Sequence, residues 1–238
     1  MKILTDLHTH TTVSAHAYST LTENAAAAAG KGLEAIAMTN HCGEIPDSAH
    51  MWHFLNLKAL PQYIHGVRIL KGAEVNITDI QGTVDMPEDV METLDVVIAS
   101  IHRPCYADLD KTDHTEAYMA VVENPCIDII GHSGSKGLEY DYDAVIRRAA
   151  ELGKMIEINA GTFRGRKASL PNCKKIAEAC KRLGAYICIN SDSHYCDTIG
   201  CYDAVFEMLA EVGFPEELVA NRTLETYKKI ISLRKNIV

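Results

Sequence analysis

Short, nearly continuous apolar runs alternate with longer amphipathic ones from one end of the chain to the other. The runs Lys2–His8, Ala35–Thr39, Arg68–Glu74, Asp95–Ile101, Ile127–Gly131, Met155–Asn159 and Ala185–Asn190 are strand candidates. Unbroken apolarity, rather than strict alternation, suits strands covered on both faces, as in a parallel sheet. Helix patterns lie between them. An alanine-rich run opens at Thr22 and Glu23 and stops at Gly30 and Gly32. Val145, Ala149 and Leu152 recur at i, i+4, i+7 before Gly153, and Ile176, Cys180 and Leu183 repeat that stripe between Pro171 and Gly184. Val205, Leu209 and Val212 supply another before Gly213, each glycine standing where a helix stops. Seven strands in 238 residues leave about 34 residues per unit, close to the ~30 of a βαβ module. No linker divides the chain, so residues 1–238 read as one domain. A closed β/α barrel and an open doubly wound sheet both fit, and in either one functional residues gather past the carboxyl ends of the strands.

Composition narrows the function. The chain is 47% apolar and 23% charged with a net charge of −9. That argues against disorder and against binding nucleic acid by bulk charge. No apolar run approaches the ~20 residues of a membrane span. The amino terminus reaches Asp6 and His8 before a signal-like segment can form, so a cytoplasmic location is expected. Eight cysteines include no Cys-x-x-Cys pair, and several sit in apolar runs such as Tyr186-Ile-Cys188-Ile189. They read as reduced, mostly buried thiols.

The eleven histidines are placed rather than scattered. His8 and His10 end the first strand in Asp6-Leu-His8-Thr-His10, and His16 stands in the loop beyond. His41 follows the second strand in Thr39-Asn40-His41. Glu74 ends the third, His102 the fourth, and His132 follows the fifth in Gly131-His132. Asp192 and His194 follow the seventh in Asn190-Ser-Asp192-Ser-His194. The sixth offers Glu157 and Asn159 instead. Residues i and i+2 on a strand share a face, so His8 and His10 can grip one ion, as can Asp192 and His194 if extended. Imidazole nitrogen with carboxylate oxygen suits zinc, iron or manganese. His50, His53, His65 and His114 read as surface or loop residues, with His50 or His53 available to shape a lid.

These motifs resemble the PHP (polymerase and histidinol phosphatase) superfamily. The set is Asp6-x-His8-x-His10, Thr11-x-x-Ser14-x-His16, Thr39-Asn40-His41, Gly72-Ala-Glu74, His102, Gly131-His132 and Asp192-Ser-His194. Chain length and the segments Ser14-Ala-His-Ala-Tyr18 and Trp52-His-Phe54 are most similar to the small stand-alone bacterial phosphatases of that superfamily. The resemblance implies a distorted seven-stranded (β/α)7 barrel with three divalent ions, usually zinc, with manganese or iron as alternatives. It assigns His8, His10, Glu74 and Asp192 to one ion. Glu74, His102 and His132 would hold the second, with Glu74 bridging; His16, His41 and His194 would hold the third. Nine ligands, one of them bridging, do not saturate three tetrahedral ions, and open positions mark catalysis rather than structure.

The implied chemistry is hydrolysis of a small phosphate monoester by a hydroxide held between the Glu74-bridged ions, with Glu74, Asp192 and His194 as catalytic residues. Arg164, Arg166 and Lys167, beyond the sixth strand, and Arg103, beside His102, are candidates to grip phosphate. The chain departs from the family at Asn40, where Asp is common, and at Ser133, where Pro is common. Asp6 shares strand parity with the His8–His10 pair and is expected to support those ligands from behind. Rival readings are a phosphodiesterase or exonuclease of the same superfamily, an amidohydrolase or metal-dependent deoxyribonuclease on an eight-stranded barrel, and a metal-binding module without catalysis. Seven units rather than eight, and Glu74 without a strand-end lysine, disfavour the eight-stranded barrel. The residues do not indicate an oligomeric state.

Overall fold

The computed structural model describes residues 1–46, 48–106, 111–163 and 169–235. Its sheet contains β1 (Thr5–Thr9), β2 (Ala35–Met38), β3 (Tyr63–Ile64), β4 (Val67–Asn76), β5 (Val96–Ser100), β6 (Ile129–Ile130), β7 (Met155–Asn159) and β8 (Ile187–Asn190). Seven strands run parallel in the order β1-β2-β4-β5-β6-β7-β8, as the apolar runs predicted. The eighth, β3, is a short antiparallel addition to β4, turned through His65 and Gly66, both with positive φ. Such a two-residue turn suits the twist of a hairpin. The apolar pattern missed it because a two-residue strand has no period to read.

The helices are α1 (Leu21–Gly30), α2 (Met51–Leu55), α3 (Glu88–Met91), α4 (Lys111–Glu123), α5 (Tyr142–Glu151), α6 (Leu170–Leu183), α7 (Asp203–Val212) and α8 (Leu224–Lys235). Thr20, two residues earlier than the sequence suggested, caps α1 in a reciprocal box with Glu23. α6 and α7 stop on Gly184 and Gly213 in left-handed geometry, as expected.

Side chains divide into an inside and an outside. Leu7, Ala37, Leu70, Ile98, Ile129, Met155 and Cys188, one from each parallel strand, pack within the barrel; Tyr227, Ile230 and Ile231 of α8 close the amino-terminal end. The alternate positions, among them Val75, Val97, Ile130, Ile156 and Ile189, face the helices. One irregularity decides the site. The β1–β2 register shifts between Asp6 and Thr9. Leu7 belongs to the interior, yet its neighbour His8 also points inward, to Glu74. A β-bulge makes this possible by placing two consecutive residues on one face.

β1 and β8 do not form a regular ladder, and the seam is closed by side chains and a wedge. Leu4 donates to Arg222 and Ala220 to Ile187 through their backbones, while Thr9 and Ser193 bridge at the opposite end. Between them lies Asn221, fully buried. Its Oδ1 accepts from the Ile189 N–H at 3.0 Å, and its Nδ2 donates to the carbonyls of Thr5 and Ile189, each at 2.7 Å. Leu7 donates to Asn190 Oδ1 at 2.9 Å.

Asp6 corrects an expectation. Its oxygens accept from the backbone N–H groups of Ser191 and His8 and from the Tyr202 hydroxyl, so it ties the seam and touches no ligand ring. The bulge breaks the parity on which the expectation rested. His114 is also not a surface residue: it is buried on α4 with Nδ1 against the Glu139 carbonyl. The eight cysteines are free thiols, and five of them are buried.

Replacing Asn221 with Ala strands buried backbone groups on both sides of the seam. The expected loss is about 3 kcal/mol, read as a lower urea midpoint with an unchanged slope. A loss below about 1 kcal/mol would show that the seam does not depend on this amide.

Candidate metal centre

Glu74, near the end of β4, is fully buried and presents its two oxygens to two different sets of imidazoles. Oε2 lies 3.3 Å from His8 Nε2, 3.5 Å from His10 Nε2 and 2.8 Å from His41 Nδ1. Oε1 lies 3.0 Å from His132 Nε2 and 3.5 Å from His102 Nε2. Asp192 Oδ1 completes the first set, 3.1 Å from His10 Nε2 and 3.5 Å from His8 Nε2. A tetrahedral ion with bonds of ~2.0–2.1 Å holds neighbouring donors about 3.3–3.4 Å apart. The four measured edges among His8, His10, Glu74 and Asp192 have this spacing. So does the triangle of Glu74 Oε1, His102 and His132, whose two imidazole nitrogens are 3.2 Å apart.

The remaining imidazoles lie toward solvent. His10, His41 and His194 form a further group with donor atoms within 4.8 Å of one another. His16 stacks on His41 and His194 at ring distances of 5.2 and 4.3 Å. Of the third set implied by the resemblance, His41 and His194 group with His10, while His16 stacks beside them and His41 Nδ1 is also turned toward Glu74. Burial grades across the centre, from His8, His10 and Glu74 sealed inside to a half-buried His194 and an exposed His16. Asp192 and His194 do not reach the site as an extended pair. Asp192 has φ of +51°, because the chain turns as soon as β8 ends. His132 is also left-handed, at +25°. Non-glycine residues held there carry strain, which is commonly found where side chains must be aimed.

Behind the donors stands a layer that sequence reading did not assign. Glu157 of β7 accepts from His8 Nδ1 at 2.8 Å, which leaves Nε2 of that ring for the centre. The same carboxylate accepts from the His132 N–H, Asn159 Nδ2 and Asn190 Nδ2 at 2.7–2.9 Å. Asn76 Oδ1 meets His102 Nδ1 at 2.6 Å, and Asn76 Nδ2 is held by Asp85 and the Cys42 carbonyl. Ser100 donates to Glu74 Oε1 at 2.6 Å, in space that a Cβ on Gly131 would occupy. Glu157 shares parity with the interior residue Met155, and Asn76 with Glu74, so both were discoverable from the period of two. Asn40 Nδ2 donates to Thr11 Oγ1 and approaches His53 Nε2 at 3.2 Å, tying α2 to the loop that carries His41. Burial lowers the His53 pKa, keeping it a neutral acceptor.

Of the proposed phosphate grips, Arg103 is exposed beside His102, with its guanidinium over Gly137, where a Cβ would collide with Nη2. Arg164, Arg166 and Lys167 lie outside the described residues. Among the other histidines, His50 caps α2 and His65 occupies the hairpin turn.

The electrostatics suit cations. Burial opposes ionisation of Glu74, but the imidazoles of His8, His102 and His41 outweigh it and hold the carboxyl well below its usual range. Asp192 is depressed likewise, His8 and His10 overcoming burial. Burial also opposes protonation of His8, yet Glu157, Asp192 and Glu74 together push its pKa well above normal. Burial and the neighbouring His41 push His10 well below. The buried atoms His8 Nε2, His10 Nδ1 and Nε2, His41 Nδ1, Glu74 Oε2 and His194 Nε2 have no hydrogen bond. Clustered nitrogen and oxygen atoms without partners fit divalent ions, which would satisfy several of them at once.

Without an ion Glu157, Asp192 and Glu74 favour the protonated form of His8, so metal binding should displace that proton. Zinc titration by calorimetry in two buffers of different ionisation enthalpy should show net proton release near pH 7. Apparent affinity should rise with pH until His8 deprotonates by itself. Binding without proton release would contradict this electrostatic picture.

Comparison with known proteins bears on the same residues. A profile of the PHP domain matches residues 6–163. A protein of Clostridium novyi named a probable phosphatase is 42% identical over 242 residues, covering 100% of this chain and 99% of its own length. One from Acetivibrio thermocellus with the same description is 43% identical over 235 residues, covering 99% and 98%. Among solved structures, histidinol phosphate phosphatase of Lactococcus lactis, crystallised with zinc, L-histidinol and phosphate, superposes with a TM-score of 0.63. It is 18% identical, and the match covers 90% of this chain and 95% of that one. That likeness establishes the (β/α)7 barrel; with the profile match and the full-length relatives, it follows that the chain belongs to the PHP domain family.

Proposed function

We propose that this protein is a single-domain, metal-dependent phosphatase that hydrolyses small phosphate monoesters. The observation that carries the reading is the division of Glu74, one oxygen in each of two donor sets with tetrahedral spacing. A carboxylate in that position suits a bridge between two cations. The full-length relatives named probable phosphatases, and the zinc, L-histidinol and phosphate with which the Lactococcus lactis enzyme was crystallised, support the same chemistry here. Zinc is the ion best suited to this donor set, with His8, His10, Glu74 and Asp192 holding one, Glu74, His102 and His132 a second, and His16, His41 and His194 a third. When bound, such ions neutralise charge on phosphoryl oxygens and lower the pKa of water toward ~7.

The chain's own residues do the rest. Glu74 fixes the spacing of the two inner sets. Asp192 and His194 bring the centre to the solvent side, where an ester can enter. Glu157 and Asn76 lock the tautomers of His8 and His102 so that Nε2 faces inward in each. Arg103 supplies an exposed cation for the non-reacting phosphoryl oxygens, with Arg164, Arg166 and Lys167 assigned to the same task. The chain's net charge of −9 disfavours long polyanions and leaves a compact anion as the fitting substrate. Among the described residues no helix is long and apolar enough to cross a membrane. The free thiols, one of them exposed on Cys201, fit the reducing cytoplasm.

Glu74→Gln keeps the shape and removes the charge. It should lose most bound metal and lower kcat/KM for an aryl phosphate by at least ~1,000-fold. Arg103→Ala should raise KM about tenfold with a smaller change in kcat. Chelation should abolish turnover and re-addition of zinc or manganese restore it. A Glu74→Gln protein with full metal content and rate would refute the assignment, and faster turnover of a bis-aryl diester than of the monoester would refute the substrate class.

A further inference from the structure

Beyond β4 the chain folds back on itself before α3 begins. The residues are Thr78-Asp79-Ile80-Gln81-Gly82-Thr83, a run with the Asp and Gly that tight turns use. Ile77 pairs antiparallel with Val84, Thr78 donates to the Thr83 carbonyl at 2.9 Å, and Asp79 Oδ1 accepts the Thr83 N–H at 2.9 Å. Gly82, with φ of +73°, sits so close to α4 that a Cβ there would stand 2.7 Å from atoms of Ala120 and Val121. The fold-back returns Asp85 to the side of Asn76, and the Asp85 N–H donates to the Asn76 carbonyl at 3.3 Å.

Donors surround the Asp85 carboxylate. Oδ1 accepts from the Asn76 N–H at 2.8 Å and from the Cys42 thiol at 3.4 Å. Oδ2 accepts from the Glu44 N–H at 2.8 Å and from Asn76 Nδ2 at 2.5 Å. Gly43, between the two loop residues so held, has φ of +67°, and a Cβ on it would strike the same carboxylate. Cys42 and Glu44 belong to the loop that carries His41, while Asn76 Oδ1 meets His102 Nδ1 at 2.6 Å. The His41 and His102 rings lie edge to face at 5.1 Å, each with a nitrogen toward Glu74.

An amide can face either way, and the way Asn76 faces decides where His102 carries its proton. An ionised carboxylate only accepts, so Asp85 draws Asn76 Nδ2 toward itself. The Cys42 carbonyl, which accepts from Nδ2 at 2.8 Å, pulls in the same sense. Oδ1 is left for His102, whose Nδ1 must then donate, and Nε2 keeps its lone pair for the centre. We propose that Asp85 is a positioning residue of the metal centre: it fixes the rotation of the Asn76 amide and through it the tautomer of His102, and it holds the His41 loop in the same clasp. This role rests on the phosphatase reading only through its metal centre.

Asp85→Asn keeps the shape and places an NH2 group among the donors. Nitrogen-15 NMR of the histidine-labelled full chain reads each ring's tautomer, with the His102 signals identified by their loss in His102→Gln. In the unaltered protein His102 should carry its proton on Nδ1, both zinc-loaded and metal-free at pH 9. Asp85→Asn should weaken one zinc site about tenfold or more. In its metal-free form His102 should become a mixture of tautomers, while His8, oriented by Glu157, keeps its proton on Nδ1. Cys42→Ala removes a neighbouring contact, keeps the carboxylate and should leave the His102 tautomer unmixed. An Asp85→Asn protein with His102 unmixed overturns the role, whether or not zinc binding falls. His102 protonated on Nε2 in the unaltered metal-free protein overturns it without any variant. A mixed tautomer in Asp85→Asn, in a chain that holds no zinc in either form, supports the role of Asp85 and removes the metal-dependent phosphatase reading.

Discussion

Glu74 is a carboxylate sealed from water among five imidazoles, a composition that a protein interior does not tolerate unbalanced. Ser100 and His132 meet Oε1, but Oε2 and several of the imidazole nitrogens that face it have no hydrogen bond. The divalent cations proposed for this site would resolve the conflict. The fold is arranged to make that resolution specific: the barrel is apolar at its amino-terminal end, closed by α8, and polar where its strands end. Across the site, burial falls from the sealed His8, His10 and Glu74 to the half-buried His194 and exposed His16.

Closure of the barrel and aiming of the ligands share one set of hydrogen bonds. Asn221 joins β1 to β8 and approaches Asn190 Oδ1 at 3.2 Å; Asn190 donates to Glu157, and Glu157 orients His8. The seam, the weakest pairing in the sheet, is thus continuous with the back of the metal centre. Loosening either should loosen the other, since a network with one partner removed leaves the rest unsatisfied. The bulge in β1 belongs to the same arrangement. It gives up regular pairing with β2 and so turns His8 and His10 inward immediately after Leu7.

Much of this was legible before any coordinates. Seven buried strands write themselves as seven apolar runs, and ligands at strand ends follow from the geometry of parallel barrels. The nine residues proposed as ligands come near one another in the structure for that reason. What escaped notice has local causes. A bulge leaves no mark in a period-two pattern, so Asp6 was read on the wrong face. β3 and α2 are too short to show a period. Whether Asp192 is extended was left open, because a strand's end is invisible in sequence; the chain there turns through positive φ. Glu157 was visible as a carboxylate on an interior face, but nothing in the sequence said which ring it would meet.

The central claim is that Glu74 divides itself between two cations. Anomalous diffraction at the zinc edge, from crystals grown near pH 7.5 with zinc present, reads this directly. The account predicts one peak enclosed by His8, His10, Asp192 and Glu74 Oε2, and a second among His102, His132 and Glu74 Oε1. Map density showing Glu74 hydrogen-bonded to protonated imidazoles, with zinc bound only at surface groups, would contradict it.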